Sequence, residues 1–114
     1  MDRSTLKKAY KESKRLMGIF LLKHPEIDTQ FIGYSTDVHA RINRHRVELK
    51  FGSHKNRSLL QLWKSLGESN FEFEIIDHLP HEKDRKSDPE EELKLLMEMW
   101  RQKLQDNGNR TELI

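Results

Sequence analysis

The alternation of apolar and polar positions predicts three strands in this chain. Residues 17–22 form a short, continuous apolar run, which is typical of a strand covered on both faces. Residues 30–34 suit a second strand, so the two segments are expected to form a hairpin with a longer connection. Residues 71–76 alternate strictly, as a half-exposed strand does. We therefore predict one small three-stranded antiparallel sheet.

Helical spacing occurs in four other segments. The predicted helices cover residues 4–14, about 37–50, about 58–66 and about 89–106. The last three have candidate N-terminal caps, which are Ser35, Thr36 or Asp37 for the first, Asn56 or Ser58 for the second, and Asp88 for the third. Helices packed against one small sheet define an α+β fold. We expect residues 1–15 to be a basic N-terminal helical extension, 16–106 the domain and 107–114 a C-terminal tail.

Charge is distributed unevenly along the 114 residues, although the net charge is only +2. Residues 1–64 contain 14 Lys and Arg against 6 Asp and Glu, whereas residues 65–114 contain 7 against 13. A basic half predicts a surface for a polyanion such as nucleic acid, unless the charges intermix once the chain folds. The chain has no cysteine, which excludes disulfides and thiolate metal sites. No apolar run reaches the roughly 18 residues of a membrane span, so we expect a cytoplasmic protein without membrane contact.

Two short motifs carry a family resemblance. Residues 18–20 read Gly-Ile-Phe and residues 31–33 read Phe-Ile-Gly, and Arg41 follows eight residues after Gly33. Together they resemble the GIY…YIG signature of the GIY-YIG nuclease superfamily. The resemblance continues as far as about Leu104, through Arg41-x-x-x-His45, residues 52–56, residues 60–63, Gly67 and residues 71–73. It implies a GIY-YIG-like α+β domain.

The resemblance also implies a reaction, which is metal-assisted hydrolysis of a DNA phosphodiester. Active members use a tyrosine in each of the first two strands, an arginine on the next helix and a metal-binding glutamate on the last helix. Here Phe20 and Phe31 stand at the tyrosine positions, and Met97 stands at the glutamate position. Only Arg41 keeps its family identity. A side chain without a hydroxyl cannot move a proton, and a thioether is a poor Mg²⁺ ligand. The resemblance therefore implies that hydrolysis is weak or lost.

Other roles are open for several of these positions. Glu98 could replace Met97 as a ligand for Mg²⁺ or Mn²⁺, but only with a π-bulge or a changed register, because one residue turns a side chain by about 100°. His45 could contact phosphate, act as a substitute base, or be a half-buried, hydrogen-bonded residue. Arg41 could contact phosphate or form an exposed ion pair with Asp37, four residues earlier. Phe20 and Phe31 fit the core or the wall of a site.

A basic set spans two predicted helices and the turn between them. Its members are Arg41, Arg44, Arg46, Lys50, Lys55, Arg57 and Lys64. Such a set suits non-specific contact with a phosphate backbone, and a solvated helix surface is the alternative. No exposed aromatic residues are evident among these cations, so single-strand recognition is not expected. The six histidines include no His-x-x-x-His pair and no clustered carboxylate, so no zinc site is expected.

The sequence is compatible with three functions. The favoured one is a domain that binds nucleic acid, DNA more than RNA, and cuts poorly or not at all. The second is an active, Mg²⁺-dependent endonuclease with a rearranged site, in which His45 is the base and Glu98 the ligand. The third is a protein-interaction module that uses the acidic C-terminal half.

Overall fold

The sheet has four strands and mixed polarity. The computed structural model describes residues 15–82 and 86–114, so the predicted helix at residues 4–14 lies outside the described residues. The strands are β1 (Met17–Lys23), β2 (Thr29–Ser35), β3 (Glu72–Leu79) and β4 (Arg110–Leu113), in the spatial order β3-β1-β2-β4. β1 pairs antiparallel with β2 and with β3, and β4 pairs parallel with β2.

The prediction of three antiparallel strands is therefore wrong at the C-terminal end. Residues 107–114, expected to be a tail, contain β4, which aligns Thr29 with Arg110 and Ile32 with Leu113. The backbone N–H of Ile114 continues the pairing and donates to the carbonyl of Ile32 (2.9 Å). Four mostly exposed residues show no clear alternation of apolar and polar positions, so β4 can be recognised only from its pairing with β2.

Three α-helices lie in the described part of the chain, α1 (Val38–Phe51), α2 (Arg57–Leu66) and α3 (Pro89–Asp106), and a short 3-10 helix (Glu68–Asn70) follows α2. Each α-helix begins after a residue whose side chain accepts a backbone N–H of the first turn, namely Asp37 (3.3 Å), Asn56 (3.0 Å) and Asp88 (3.0 Å). Gly52 follows the last residue of α1 and caps the helix, with a left-handed φ of 77° that glycine adopts without steric strain. None of these helices has the length and hydrophobicity needed to cross a membrane.

The sheet is covered on both faces, which explains the continuous apolar run of β1. One core cluster joins the sheet to α3 and contains Met17, Ile19, Leu21, Ile32, Leu93 and Met97. The other joins the opposite face to α1 and α2 and contains Leu22, Phe31, Leu49, Leu59 and Leu60. Since successive strand residues point to opposite faces, the run from Met17 to Leu22 supplies both clusters. Its neighbour β3 extends three residues beyond the predicted strand, to Leu79.

Candidate nucleic-acid interface

The two phenylalanines of the motif are buried. Phe20 is 0% exposed and Phe31 is 1% exposed. Phe20 lies opposite Gly33 in the β1–β2 pair, and its ring fills the space above that glycine. A Cβ built on Gly33 would lie 2.6 Å from Cζ of Phe20, closer than real atoms approach. The Phe-Ile-Gly motif thus provides the room that the Phe20 ring occupies.

Two histidines meet beside the Phe20 ring. Nδ1 of His45, on α1, lies 2.8 Å from Nε2 of His54, in the turn after α1. His45 is 6% exposed and His54 is 5% exposed. The ring centroids of Phe20 and His45 are 5.6 Å apart. The turn at Gly52 reverses the chain and places the two imidazoles together.

The hydrogen bonds around this pair determine where its protons lie. The backbone N–H of Asn56 donates to Nδ1 of His54 (3.0 Å), so a neutral His54 carries its proton on Nε2. That proton is donated to Nδ1 of His45, and the proton of neutral His45 must then be on Nε2. Nε2 of His45 is buried and has no hydrogen-bond partner among the described residues. In this state Nε2 is a donor, which argues against His45 as a general base.

Burial keeps both imidazoles neutral. The pKa of His45 is lowered to about 4, mainly by desolvation and then by unfavourable electrostatic interaction of a protonated His45 with His54 and Arg41. The pKa of His54 is also lowered, again mainly by desolvation, while Glu48 opposes the effect. The pair is therefore uncharged at neutral pH.

Glu48 completes a three-residue group that spacing in the sequence did not predict. One ligand atom from each of His45, Glu48 and His54 lies within 4.8 Å of the others, so the group could hold a metal ion. The expectation of no carboxylate clustered with histidines is thus wrong. Two imidazoles and one carboxylate suit a transition metal better than Mg²⁺. A metal on His54 Nε2 would also have to displace the proton that this atom shares with His45. The sequence could have indicated part of this group, because the spacing His45-x-x-Glu48 places both side chains on one helix face.

Arg41 lies at the junction of two cavities. One, of about 400 Å³, is lined by Arg41, Arg44, His45 and the turn after α1. The other, of about 390 Å³, is lined by Arg41 together with α3 residues that include Met97 and Glu98. Both cavities also have Leu113 and Ile114 in their walls, so the end of β4 lies between them. We call the two cavities together the Arg41 cleft.

The alternative ion pair for Arg41 is not formed. The carboxylate of Asp37 contacts Arg15 instead, with 3.4 Å between Nε and Oδ2. Arg41 is exposed. Its guanidinium therefore faces the cleft without that competing carboxylate.

The α3 side of the cleft lacks the ligands of a Mg²⁺ or Mn²⁺ site among the described residues. Met97 is 4% exposed and packs in the core with Ile32 and Leu93. Glu98 is exposed, and its Oε1 lies 3.7 Å from Nη1 of Arg101. Glu98 belongs to no three-ligand group among residues 15–82 and 86–114. Glu90, which lines the same cavity, is also exposed, and it lies about 12 Å from Glu98 along the axis of α3. A buried thioether and two separated, solvated carboxylates do not fit the oxygen-rich shell that Mg²⁺ or Mn²⁺ requires.

All seven residues of the predicted basic set are exposed. Glu48 is the single acidic residue between positions 38 and 66, and it lies 3.8 Å from Nε of Arg44. The guanidinium of Arg46 lies 5.1 Å from the ring centroid of Phe73. α1, α2 and their connection therefore present a surface that is almost entirely cationic.

Comparison with known proteins defines the fold. No family model matches the chain, and no curated protein sequence does. Among solved structures, the chain is similar to a mutant catalytic domain of the intron endonuclease I-TevI, with a TM-score of 0.64 and 24% identity over 85% of this chain and 92% of that one. It is also similar to the catalytic domain of the homing endonuclease I-TevI, with a TM-score of 0.63 and 23% identity over 82% and 94%. The protein has a GIY-YIG-like fold, as its motifs indicated. This likeness establishes the fold alone.

Proposed function

We propose that this GIY-YIG-like domain binds the phosphate backbone of nucleic acid, DNA more than RNA, and hydrolyses phosphodiesters weakly or not at all. The observation that carries the proposal is the exposed basic set on α1, α2 and their connection, with Arg41 at the cleft. Exposed cations attract a polyanion because they replace its condensed counterions. The solved structures of similar fold are endonuclease catalytic domains, which supports DNA as the polyanion.

The residues at the catalytic positions of the family support weak or absent hydrolysis. A phosphodiester reaction needs a group that accepts a proton and a cation where charge develops. Phe20 and Phe31 carry no hydroxyl, and Nε2 of His45 is a donor rather than an acceptor. Arg41 is the one retained group, and its positive charge can bind a phosphate whether or not hydrolysis follows.

The binding half of the proposal is tested by salt dependence. Fluorescence anisotropy with a labelled duplex would measure Kd between about 50 and 200 mM salt for the natural protein and for Arg41→Ala and Arg44→Ala. We expect the logarithm of the association constant to fall linearly with the logarithm of the salt concentration. Each substitution should make this slope shallower by about 0.9 for every phosphate that the protein no longer neutralises. Lys103→Ala is the control, since it removes one positive charge from α3. Binding that is absent, or independent of salt, would sink the proposal.

The catalytic half is tested by nicking of supercoiled plasmid with Mg²⁺ or Mn²⁺ at low salt. We expect no nicking by the natural protein, and some nicking by a folded Phe20→Tyr/Phe31→Tyr/Met97→Glu variant. Circular dichroism would check that the variant is folded, because all three positions are buried.

An active endonuclease with a rearranged site is the second candidate, because Glu98 and Arg41 line the same cavity. In that function Glu98 would be the metal ligand and His45 the base. It predicts nicking by the natural protein that disappears in Arg41→Ala and in Glu98→Gln. Nicking that persists in Glu98→Gln would remove Glu98 from the site.

A further inference from the structure

Phe51 is an exposed aromatic residue within the basic surface. It is the last residue of α1 and is 76% exposed, and Val47, one turn earlier, is 46% exposed. Lys50 precedes it and is also exposed. The expectation that no exposed aromatic residue lies among these cations is therefore wrong. The sequence did not reveal this exposure, because an apolar residue at the end of a helix is equally compatible with burial.

The position of Phe51 connects it to the Arg41 cleft. Arg44 and Phe51 are seven residues apart on α1, so they lie on the same helix face within about 20° and about 10 Å apart along the axis. Arg44 lines the cavity that contains His45. Beyond Phe51, Nζ of Lys64 lies 3.8 Å from the position that a Cβ on Gly52 would occupy. One cation, Arg44, therefore lies on the helix face of Phe51, and a second, Lys64, lies beside the glycine that follows it.

We propose that the Phe51 ring is a stacking platform for an unpaired base, and that the nucleic acid bound by this domain is single-stranded or contains unpaired nucleotides near the Arg41 cleft. This inference rests on the proposed binding function and names its substrate class. Every base has a π-face that can stack on an aromatic ring, while adjacent cations hold the backbone. The bases of an intact duplex are already stacked on each other, so a duplex gains nothing from Phe51.

The surroundings of Phe51 favour nucleic acid over an apolar protein partner. Leu95 and Met99, on the outer face of α3, are exposed to a similar degree, 68% and 69%. They are aliphatic, and α3 has three acidic residues in its first turn. Phe51 differs in both respects, since it is aromatic and its exposed neighbours Lys50 and Lys64 are cationic. A polyanion with planar rings complements this site.

The test compares single-stranded and double-stranded ligands on the full chain. Anisotropy would measure Kd for a labelled oligothymidine and for a blunt duplex, with the natural protein, Phe51→Ala, Phe51→Trp and the matched control Leu95→Ala. We expect Phe51→Ala to weaken oligothymidine binding by roughly 5- to 150-fold with an unchanged salt slope. Duplex binding should change less than about twofold. Phe51→Trp should bind oligothymidine at least as tightly as the natural protein, and Leu95→Ala should match it.

The outcomes separate this inference from the function on which it rests. Phe51→Ala could leave oligothymidine binding unchanged, or weaken the binding of oligothymidine and duplex equally. If Arg41→Ala still weakens binding in that case, Phe51 is not a stacking platform, and the proposed binding by the basic surface is retained. If the natural protein binds neither ligand at low salt, both proposals fail. Because Phe51 is mostly exposed, Phe51→Ala should fold normally, and a urea denaturation midpoint would check this.

Discussion

Nδ1 of His45 and Nε2 of His54 share one hydrogen bond of 2.8 Å inside the protein, although nine residues separate them in the chain. The backbone N–H of Asn56 holds the other nitrogen of His54. This arrangement leaves both imidazoles neutral and directs one N–H, that of His45 Nε2, into a buried position without a partner among the described residues. Two predictions concern this pair.

The stability of the domain should fall as the pH drops from about 6.5 towards 4. The pKa of His45 is about 4 when folded, against 6.5 for an unperturbed histidine, so between these limits the unfolded chain binds the proton more readily. The expected loss at the acidic end is on the order of 3 kcal/mol. Urea denaturation across this pH range measures it. His45→Gln should flatten the pH dependence, whereas His39→Gln, at an exposed position, should not. If the unfolding free energy of His45→Gln depends on pH as steeply as that of the natural protein, the pH dependence does not arise from His45.

The tautomers can be observed directly by NMR. Long-range ¹H–¹⁵N spectra at neutral pH should show the proton on Nε2 in both His45 and His54, because Asn56 N–H and His54 N–H occupy the two Nδ1 atoms. Addition of Zn²⁺ should disturb both rings if the metal displaces the shared proton, and Mg²⁺ should leave them unchanged. A proton found on Nδ1 of His45 would restore Nε2 as an acceptor, and with it a role for His45 as a base.

Gly33→Ala should destabilise the domain, mainly through a clash with the Phe20 ring. The added methyl would lie 2.6 Å from Cζ of Phe20, whose buried ring has little space to move. Overpacking of this kind typically costs about 1–3 kcal/mol. Chemical denaturation of Gly33→Ala, Phe20→Leu and the double variant gives the coupling between the two positions. The smaller Leu should remove most of the penalty of Gly33→Ala, and simple additivity would show that the clash lies elsewhere.

Met97→Glu should cost stability at neutral pH, because Met97 is 4% exposed and packs in the core with Leu93. Placing a carboxyl group there without a partner costs about 1–3 kcal/mol or more. Met97→Leu is the matched control and should cost less than about 1.5 kcal/mol. Thermal denaturation with and without Mn²⁺ distinguishes burial from ligation. Full recovery of Met97→Glu by Mn²⁺ would mean that the position can still serve as a metal site.

Asn56 has two separable roles. Its side chain caps α2 by accepting the N–H of Leu59 (3.0 Å), and its Nδ2 donates to Oε1 of Glu112 on β4 (3.1 Å). Asn56→Ser keeps a capping oxygen but has no amide group to donate to Glu112. Asn56→Asp keeps the cap and places two carboxylates together.

Asn56→Ala should cost about 0.5–2 kcal/mol in denaturation experiments, and Asn56→Ser less. Asn56→Asp should increase hydrogen exchange of the β4 amides, because like charges would repel the strand. Unchanged exchange in Asn56→Asp would mean that the pairing of β4 with β2 alone holds the strand.

The helices and the first strands were predictable because their signals are local. Asp37, Asn56 and Asp88 cap helices at the expected places, and the apolar run of residues 17–22 lies within β1. β4 was not predictable, because four residues acquire a strand conformation only by pairing with β2. The end of β3 was missed for a related reason, since its last residues pair with β1 in a segment with weak alternation.

The sequence by itself determined the fold class, the family resemblance and the residues that supply positive charge. Apolar periodicity, helix caps and motif spacing depend on residues that are close together in the chain. Only the tertiary structure decided which of these side chains meet. It brought His45, Glu48 and His54 together, buried Met97, exposed Phe51 and placed the end of β4 beside Arg41. The physical reason is that burial and proximity depend on chain reversals and on packing between distant segments, and these are not encoded in any single stretch of the chain.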